Sequence, residues 1–242
     1  MDPLQVLFIA TSHDKMGDTT AKTGAWLEEI SIPYYAFKEA GAEITIASPK
    51  GGRIPLDPKS QSVILSTFST KRFTKDEAAM KFLSNSLLLE DMKASDFDAV
   101  FVTGGHGPMW DLADNEKLSQ LLEAFNKSNK PIAAVCHGVV SLLALKDSNG
   151  EFLIKGKKLT GFSNTEEGSA GLTATVPFLL ETKLISLGAL YSKAENYTGH
   201  VVEDRNIITG QNSASSNGVV QKIFAVLKYN KFRMTLLQPS LN

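Results

Sequence analysis

The chain has 242 residues, of which 43% are apolar and 21% charged, and 25 basic against 26 acidic side chains give a net charge of −1. This composition predicts a soluble globular protein with a sizeable core and excludes disordered, collagen-like and coiled-coil proteins. The absence of a basic block argues against a nucleic-acid partner, and no apolar stretch is long enough to predict a membrane span. The first residues lack the positive region of a signal peptide, and a single cysteine, Cys136, cannot form an intrachain disulfide, so we expect a cytoplasmic protein.

Short β-rich segments alternate with helical ones, a pattern that predicts one α/β domain with a mostly parallel sheet covered by helices. The predicted strands are Gln5–Thr11, Glu43–Ala47, Ala99–Thr103, Pro131–Val135, Lys158–Gly161, Val201–Asp204 and Asn206–Thr209. The predicted helices are Trp26–Ala40 (closed by Gly41), Asp76–Leu89, Asn115–Ser128 (with Asp114 as N-cap), an apolar helix from Gly138 to Leu145, Val176–Leu187 and Val219–Tyr229. Residues 51–75 are predicted to form an irregular excursion because prolines, serines and threonines are frequent there.

The most informative segment is the apolar strand that stops at Cys136, where a helix begins almost at once. Such a junction predicts a nucleophile elbow, and Ala134 and Gly138 supply the small neighbours that its tight turn needs. A helix N-terminus after Cys136 is expected to lower the pKa of the thiol and to offer N–H groups to an oxyanion. The alternative is a small buried core residue, but ligands bind at the ends of parallel strands, which favours a functional cysteine.

The segment Ala133-Ala134-Val135-Cys136-His137-Gly138 resembles the elbow of the DJ-1/PfpI superfamily. Further segments resemble its heat-shock branch of glutathione-independent glyoxalases and chaperones: Ala21-Lys22-Thr23-Gly24, Gly105-His106-Gly107 with Trp110-Asp111, and Thr160-Gly161-Phe162-Ser163-Asn164 with Glu166-Glu167. The resemblance runs from the first strand to about Ser215. It implies a single flavodoxin-like domain of the class I glutamine amidotransferase type and, by resemblance alone, a homodimer.

The same resemblance implies roles for individual residues. Cys136 matches the family nucleophile and His137 its triad histidine, while the acid that orients the imidazole falls on Glu167, with Glu166 as the competitor. Direct succession of Cys136 and His137 places the imidazole beside the thiol, so an ion pair is less certain than in a protease. The Gly105 N–H pairs with the His137 N–H as an oxyanion hole.

The resemblance also implies a second carboxylate on the first helix, where counting back four residues from Pro33 gives Glu29, hydrogen-bonded to the cysteine sulfur. Neighbouring helical residues point about 100° apart, so Glu28 is expected to face elsewhere. Trp26, Glu29 and Pro33 share a helical face, and an acid on that apolar face is out of place unless it functions there. A buried carboxyl has a raised pKa and is poised to move protons at neutral pH.

The glycine-rich loop Gly104–Gly107 lets the backbone approach a ligand closely, and it lacks the residues of a nucleotide-phosphate loop. His106 is expected either to line the pocket or to brace this loop. We expect no cofactor and no metal, since no cluster of ligands appears at metal-binding spacing and His13 and His200 are isolated. Segments 12–20, 195–202 and 212–215 depart from the family pattern and are expected to shape the pocket rim.

The leading hypothesis is therefore a cofactor-free glyoxalase that converts a small reactive 2-oxoaldehyde such as methylglyoxal into a 2-hydroxy acid. A deglycase acting on protein or nucleotide amines is a close alternative. A stress-induced holdase chaperone with a redox-sensing cysteine is a second class, although the sequence does not show the exposed apolar patch that it needs. Amidotransferase or peptidase chemistry fits poorly with an acid such as Glu29 beside the thiol.

Overall fold

The structure is a computed structural model that describes residues 3–237, with side chains described through residue 228. Its strands are β1 (Gln5–Ile9), β2 (Glu43–Ser48), β3 (Leu87–Leu88), β4 (Ala99–Val102), β5 (Ile132–Val135), β6 (Lys158–Leu159), β7 (Leu190–Tyr191), β8 (Val201–Asp204) and β9 (Ile207–Gly210). Its helices are α1 (Leu27–Glu39), α2 (Phe68–Phe73), α3 (Glu77–Ser84), α4 (Pro108–Asp111), α5 (Glu116–Lys127), α6 (Asn164–Ser169), α7 (Leu180–Ser186) and α8 (Ser216–Leu237).

Seven strands form one sheet in the order β3-β2-β1-β4-β5-β9-β8, and β6 pairs with β7 separately. All neighbours in the large sheet are parallel except β8, which runs antiparallel to β9. This architecture confirms the predicted fold class. The chain adds strands outward from β1 through β2 to β3 and then returns to the other side at β4. Ligands bind outside the carboxyl ends of strands at such a switch point.

Complete burial of the central strands explains their near-continuous apolar sequences. Every residue of β4 and β5 is buried, and Phe8 of β1 packs its ring against Phe37 of α1 and Phe101 of β4. Helices α1 and α8 contact each other, whereas α5 packs on β4 and β5. Each such fully buried large side chain contributes roughly 1.5–3 kcal/mol, so the strands that hold the carboxyl-edge loops are rigid.

Several element boundaries differ from the sequence predictions. The helix predicted over 76–89 ends at Ser84, because Leu87 and Leu88 form the edge strand β3 beside β2. The predicted N-cap Asp114 is wrong by one residue: the Asn115 side chain accepts the Leu118 N–H and caps α5.

Local helices also differ from the prediction. The excursion 51–75 contains a 3₁₀ helix at Pro58–Gln61 and helix α2. The helix predicted from Val176 begins only at Leu180, and the apolar helix after the elbow is a 3₁₀ helix over Cys136–Leu142. No helix among the described residues combines the length and apolarity that spanning a bilayer requires.

Candidate active site

The turn after β5 has the geometry of a nucleophile elbow. Cys136 follows the strand directly and has φ 58°, a left-handed conformation that is costly for a residue other than glycine. Gly138 allows the turn to pack against β4, since a Cβ there would lie 2.7 Å from the carbonyl oxygens of Val102 and Thr103. Strain at Cys136 and close packing at Gly138 fix the thiol at the carboxyl edge of the sheet.

Glu29 of α1 lies beside this thiol, buried to 1% exposure. Its Oε2 accepts the Gly104 N–H at 2.8 Å, and its carboxyl group is hydrogen-bonded to the Cys136 side chain. Burial raises the pKa of Glu29 to about 8, outweighing the lowering effect of both hydrogen bonds. Glu29 is therefore mostly protonated at neutral pH and changes charge in the slightly alkaline range.

The expectation that the helix terminus lowers the thiol pKa is wrong. Burial raises the pKa of Cys136 well above its usual value, and repulsion from the Glu29 carboxylate raises it further. The backbone N–H groups of His137 and Gly105 act in the opposite direction and are outweighed. The thiolate of Cys136 consequently needs a proton acceptor within the site itself.

His137 supplies one such acceptor. Its Nδ1 lies 3.4 Å from the Cys136 Sγ, and its Nε2 donates to Glu167 Oε2 at 2.7 Å. Burial lowers the pKa of His137 to about 4, so the imidazole is neutral at pH 7. Because the ionised Glu167 only accepts hydrogen bonds, the ring proton sits on Nε2, and the lone pair on Nδ1 faces the sulfur.

The two neighbouring glutamates do different things. Glu167 contacts His137, whereas Glu166 closes a capping box at the start of α6, where its Oε2 accepts the Ser163 N–H at 3.0 Å. Glu166 Oε1 also accepts the N–H of Tyr197 and the side-chain amide of Asn212. The structure thus places Glu167 in the triad position, and its catalytic role stays a prediction.

His106 shares the same carboxylate. Its Nε2 donates to Glu167 Oε1 at 2.8 Å, and its ring lies 4.1 Å from the His137 ring. Burial alone raises the pKa of Glu167, but the hydrogen bonds from His106 and His137 outweigh it and hold this pKa well below the usual range. His106 therefore both lines the pocket and holds the triad carboxylate.

This trio also corrects the expectation that no set of metal ligands exists. Donor atoms of His106, His137 and Glu167 lie within 4.8 Å of one another and offer a set of two imidazoles and a carboxylate. The hydrogen bonds among the three already account for their arrangement. The set becomes available to a metal only if those bonds are replaced.

The glycine-rich loop after β4 completes the site. Gly105 has φ +88°, and a Cβ there would come within 2.3 Å of the Gly24 carbonyl oxygen. Only glycine fits, so the Gly105 N–H can face the sulfur together with the His137 N–H. Two converging N–H groups are the arrangement that stabilises an oxyanion, and this role also stays a prediction.

A cavity of about 400 Å³ opens from the thiol. The predicted residues Glu29, Gly105, His106, Cys136 and His137 line it. Five further lining residues had not been placed in the site by sequence reasoning, and they are Asp57, Lys59, Leu65, Ala170 and Leu172. Trp26, Glu28, Phe162 and four residues of the expected rim segments, Met16, Tyr197, Asn212 and Ser213, complete the lining. The expected contribution of segments 12–20, 195–202 and 212–215 to the rim is therefore observed, whereas the expectation that Glu28 faces away is wrong.

Comparisons with known proteins agree with this geometry. A model of the DJ-1/PfpI family matches residues 20–225. The structure of Rapid Encystment Protein 24 kDa of Francisella tularensis is 40% identical, with TM-score 0.88 over 93% of this chain and 99% of that one. Glyoxalase III of Candida albicans is 27% identical, with TM-score 0.84 over 92% and 97%. The glutathione-independent glyoxalase HSP31 of Saccharomyces cerevisiae is 27% identical over 94% of this chain and 100% of its own.

Proposed function

Because the chain belongs to the DJ-1/PfpI family, we propose that it is a glutathione-independent glyoxalase that converts 2-oxoaldehydes into 2-hydroxy acids. The observation that carries this proposal is the buried Glu29 carboxyl group beside the Cys136 thiol, with a pKa of about 8. An acyl-transfer triad has no use for such a group. A reaction that moves a proton between two neighbouring carbon atoms does, because the group must accept and return a proton near neutral pH.

The first step joins the substrate to the enzyme. The sulfur attacks the aldehyde carbon C1 while the thiol proton passes to His137 Nδ1, and the carbonyl electron pair moves to O1, so that no free thiolate has to form before the attack. The N–H groups of Gly105 and His137 stabilise the negative charge on O1, and the proton held by His137 then neutralises it. The product is a hemithioacetal, and the site needs no cofactor to form it.

The second step exchanges oxidation state between the two carbons. Ionised Glu29 removes the C1 proton to give an enediolate and returns that proton to C2, while the O1 hydroxyl proton passes to O2. C1 is oxidised to a thioester as C2 is reduced to an alcohol, so no external oxidant is needed. Water then attacks C1, the C–S bond breaks, and the 2-hydroxy acid and the thiol are released. The net reaction adds one water, as in the reverse of a lactate dehydratase.

The decisive experiment measures lactate released from methylglyoxal without glutathione. We expect Cys136→Ala to abolish turnover, on the order of 10⁴-fold or more for loss of a nucleophile, while circular dichroism and the unfolding midpoint stay near those of the wild type. Lactate formation at the wild-type rate in this variant would refute the assignment of the nucleophile. Absence of a 2-hydroxy acid product from methylglyoxal and from longer 2-oxoaldehydes with the wild type would refute the proposal.

An exposed apolar segment favours a second candidate function, a holdase chaperone. Val63, Ile64 and Phe68 are 87%, 94% and 84% exposed, which corrects the expectation that no such patch exists. Exposed apolar patches bind unfolded chains or a second subunit. Replacement of Ile64 and Phe68 by serine should abolish suppression of citrate synthase aggregation if this segment acts as a holdase, and light scattering of the same variant tests the proposed homodimer. Unchanged suppression would remove this candidate.

We assign the thiol chemistry to a reducing compartment such as the cytoplasm, because a free thiol at the reacting position must stay reduced.

A deglycase differs from a glyoxalase in the group attached to C1 when the sulfur attacks. In a deglycase an amine leaves C1, whereas a free aldehyde loses no group when the sulfur adds to it. Free amine released from a methylglyoxal-treated peptide in the presence of excess aldehyde scavenger would favour the deglycase, whereas amine release only as the free aldehyde disappears would favour the glyoxalase.

A further inference from the structure

The cavity above the thiol is too large for the smallest substrate of the proposed reaction. Methylglyoxal has five non-hydrogen atoms. If each atom takes about 30 Å³, the volume of one water molecule in the liquid, methylglyoxal occupies at most roughly 150 Å³. The cavity measures about 400 Å³, a volume typical of sites for much larger ligands. More than half of it stays empty when C1 of methylglyoxal is bound to Cys136.

The surplus volume has mostly apolar walls. Trp26, Phe162 and Tyr197 contribute rings, and Met16 and Leu172 contribute aliphatic surface. Such walls give no compensation to a hydroxyl group that loses its water, whereas each buried methylene is favourable by about 0.8 kcal/mol, which equals about fourfold in binding.

Two of the polar side chains in the lining are occupied within the protein, whereas Glu28 is partly exposed and Lys59 is exposed. The Asp57 carboxylate accepts the Thr23 hydroxyl at 2.9 Å and the Lys59 N–H at 2.9 Å. The Asn212 side-chain amide donates to Glu166 Oε1 at 2.7 Å and to the Thr198 carbonyl oxygen at 2.9 Å. These two groups are therefore not free to recognise the hydroxyl groups of a sugar-derived substrate.

We propose that the substrate is a 2-oxoaldehyde whose ketone carries an extended apolar substituent, aliphatic or aromatic, rather than methylglyoxal or a polyhydroxylated sugar derivative. This inference rests on the proposed function. The reacting carbons lie against Cys136 and Glu29, and the substituent fills the space toward the mouth. The half-exposed Leu65 contributes apolar wall to that space.

The test measures kcat/KM, without glutathione, for methylglyoxal, 2-oxobutanal, 2-oxopentanal and 2-oxohexanal, with phenylglyoxal as the aromatic member. We expect about a fourfold rise for each added methylene until the cavity is full. The six-carbon sugar derivative 3-deoxyglucosone, matched in chain length to 2-oxohexanal, should be turned over at least tenfold less efficiently. Constant or falling values along the series, or a preference for 3-deoxyglucosone, would overturn the inference.

Neighbouring residues of the exposed segment provide a matched pair of variants. Leu65 lines the cavity and Ile64 does not, and Ile64 is 94% exposed. Leu65→Asn should lower kcat/KM for 2-oxohexanal about fourfold more than for methylglyoxal, while Ile64→Asn should leave the ratio at the wild-type value. An equal ratio in both variants would contradict the assignment of the wall. If no 2-oxoaldehyde is consumed at all, the proposed function fails instead, so the two failures are distinguishable.

Discussion

Two buried carboxyl groups flank Cys136, and their environments push their pKa values in opposite directions. Glu29 and Glu167 are only 1% and 2% exposed. Burial raises the pKa of Glu29 to about 8, whereas the pKa of Glu167 lies well below the usual range. With similarly small exposed fractions, the hydrogen bonds that Glu167 accepts from two imidazoles set its pKa apart from that of Glu29, where burial dominates.

The hydrogen-bond partners of the two carboxyl groups differ in number and in chemical type. Glu167 receives two imidazole N–H donors, from His106 and His137, which stabilise the ionised form. Glu29 receives one backbone N–H and shares its other contact with a thiol, which is itself an acid. When the pKa values of two carboxyl groups are shifted in opposite directions, the groups take different roles. Glu29 can carry a proton, and Glu167 remains a fixed negative charge.

The strongest test of this division is Glu29→Gln. The amide keeps the shape and the Gly104 contact but cannot accept and return a proton, so turnover should fall on the order of 10²–10⁴-fold. Steady-state kinetics with methylglyoxal measures it. Glu28→Gln, one residue earlier on α1, should lose less than about tenfold. Equal and mild losses in both variants would mean that neither carboxylate is catalytic.

Glu167→Gln tests the other side of the comparison. The amide presents one donor and one acceptor to two imidazoles, so one histidine must change tautomer, and His137 is no longer fixed with its lone pair toward the sulfur. We expect a fall on the order of 10² in kcat, the lower end of acid–base contributions, with KM little changed. A larger rise in KM than loss of kcat would indicate that Glu167 shapes the cavity rather than orienting His137.

The pH dependence should report the raised pKa of Glu29 directly. Since the carboxylate form removes the C1 proton, kcat/KM should rise about tenfold per pH unit up to pH 8 and level off above it. His137 has a pKa of about 4, so its protonation adds a further fall only in strong acid. The residual activity of Glu29→Gln should lack the step at pH 8. Persistence of that step in the variant would assign it to another group.

Stability gives the most indirect test. The folded protein holds the Glu29 proton more tightly than the unfolded chain, so the free energy of unfolding should fall as pH rises from 4.5 to 8 and stay level above. The loss amounts to roughly 5 kcal/mol at about 1.4 kcal/mol per pH unit. Glu29→Gln lacks this pH-dependent loss. Denaturant unfolding should therefore show that the free energy of unfolding of the variant rises relative to that of the wild type between pH 4.5 and 8. Parallel curves would argue against a raised pKa.

Local patterns predicted much of the fold and singled out Cys136, whereas the resemblance to the DJ-1/PfpI superfamily supplied the expected roles of Glu29, His137 and Glu167. The strand before Cys136 and the glycine loop after β4 are contiguous segments whose conformations follow from their own sequence. Edge strand β3 is different, because Leu87 and Leu88 become a strand only by pairing with β2, which no local pattern encodes. Asp114 and Asn115 are equally good capping residues, so a single sequence leaves their order open.

Predictions about the site divide in the same way. The choice between Glu166 and Glu167 can be made from local sequence. Ser163 and, three residues later, Glu166 form a capping box, which assigns Glu166 to the start of the helix. The contact of His106 with Glu167 cannot be predicted from local sequence, because it joins residues that are 61 positions apart in the chain. The sign of the thiol pKa shift required the depth of Cys136, which only the folded chain provides.

Gly104 gives this site an evolutionary asymmetry. A Cβ at position 104 would lie 2.4 Å from Glu29 Oε2, 2.6 Å from the Val135 carbonyl oxygen and 2.8 Å from the Cys136 Cβ. Removing the glutamate relieves only the first of these clashes, because the other two come from the elbow itself. Position 104 must therefore stay glycine in any descendant that keeps the elbow, whichever side chain stands at position 29.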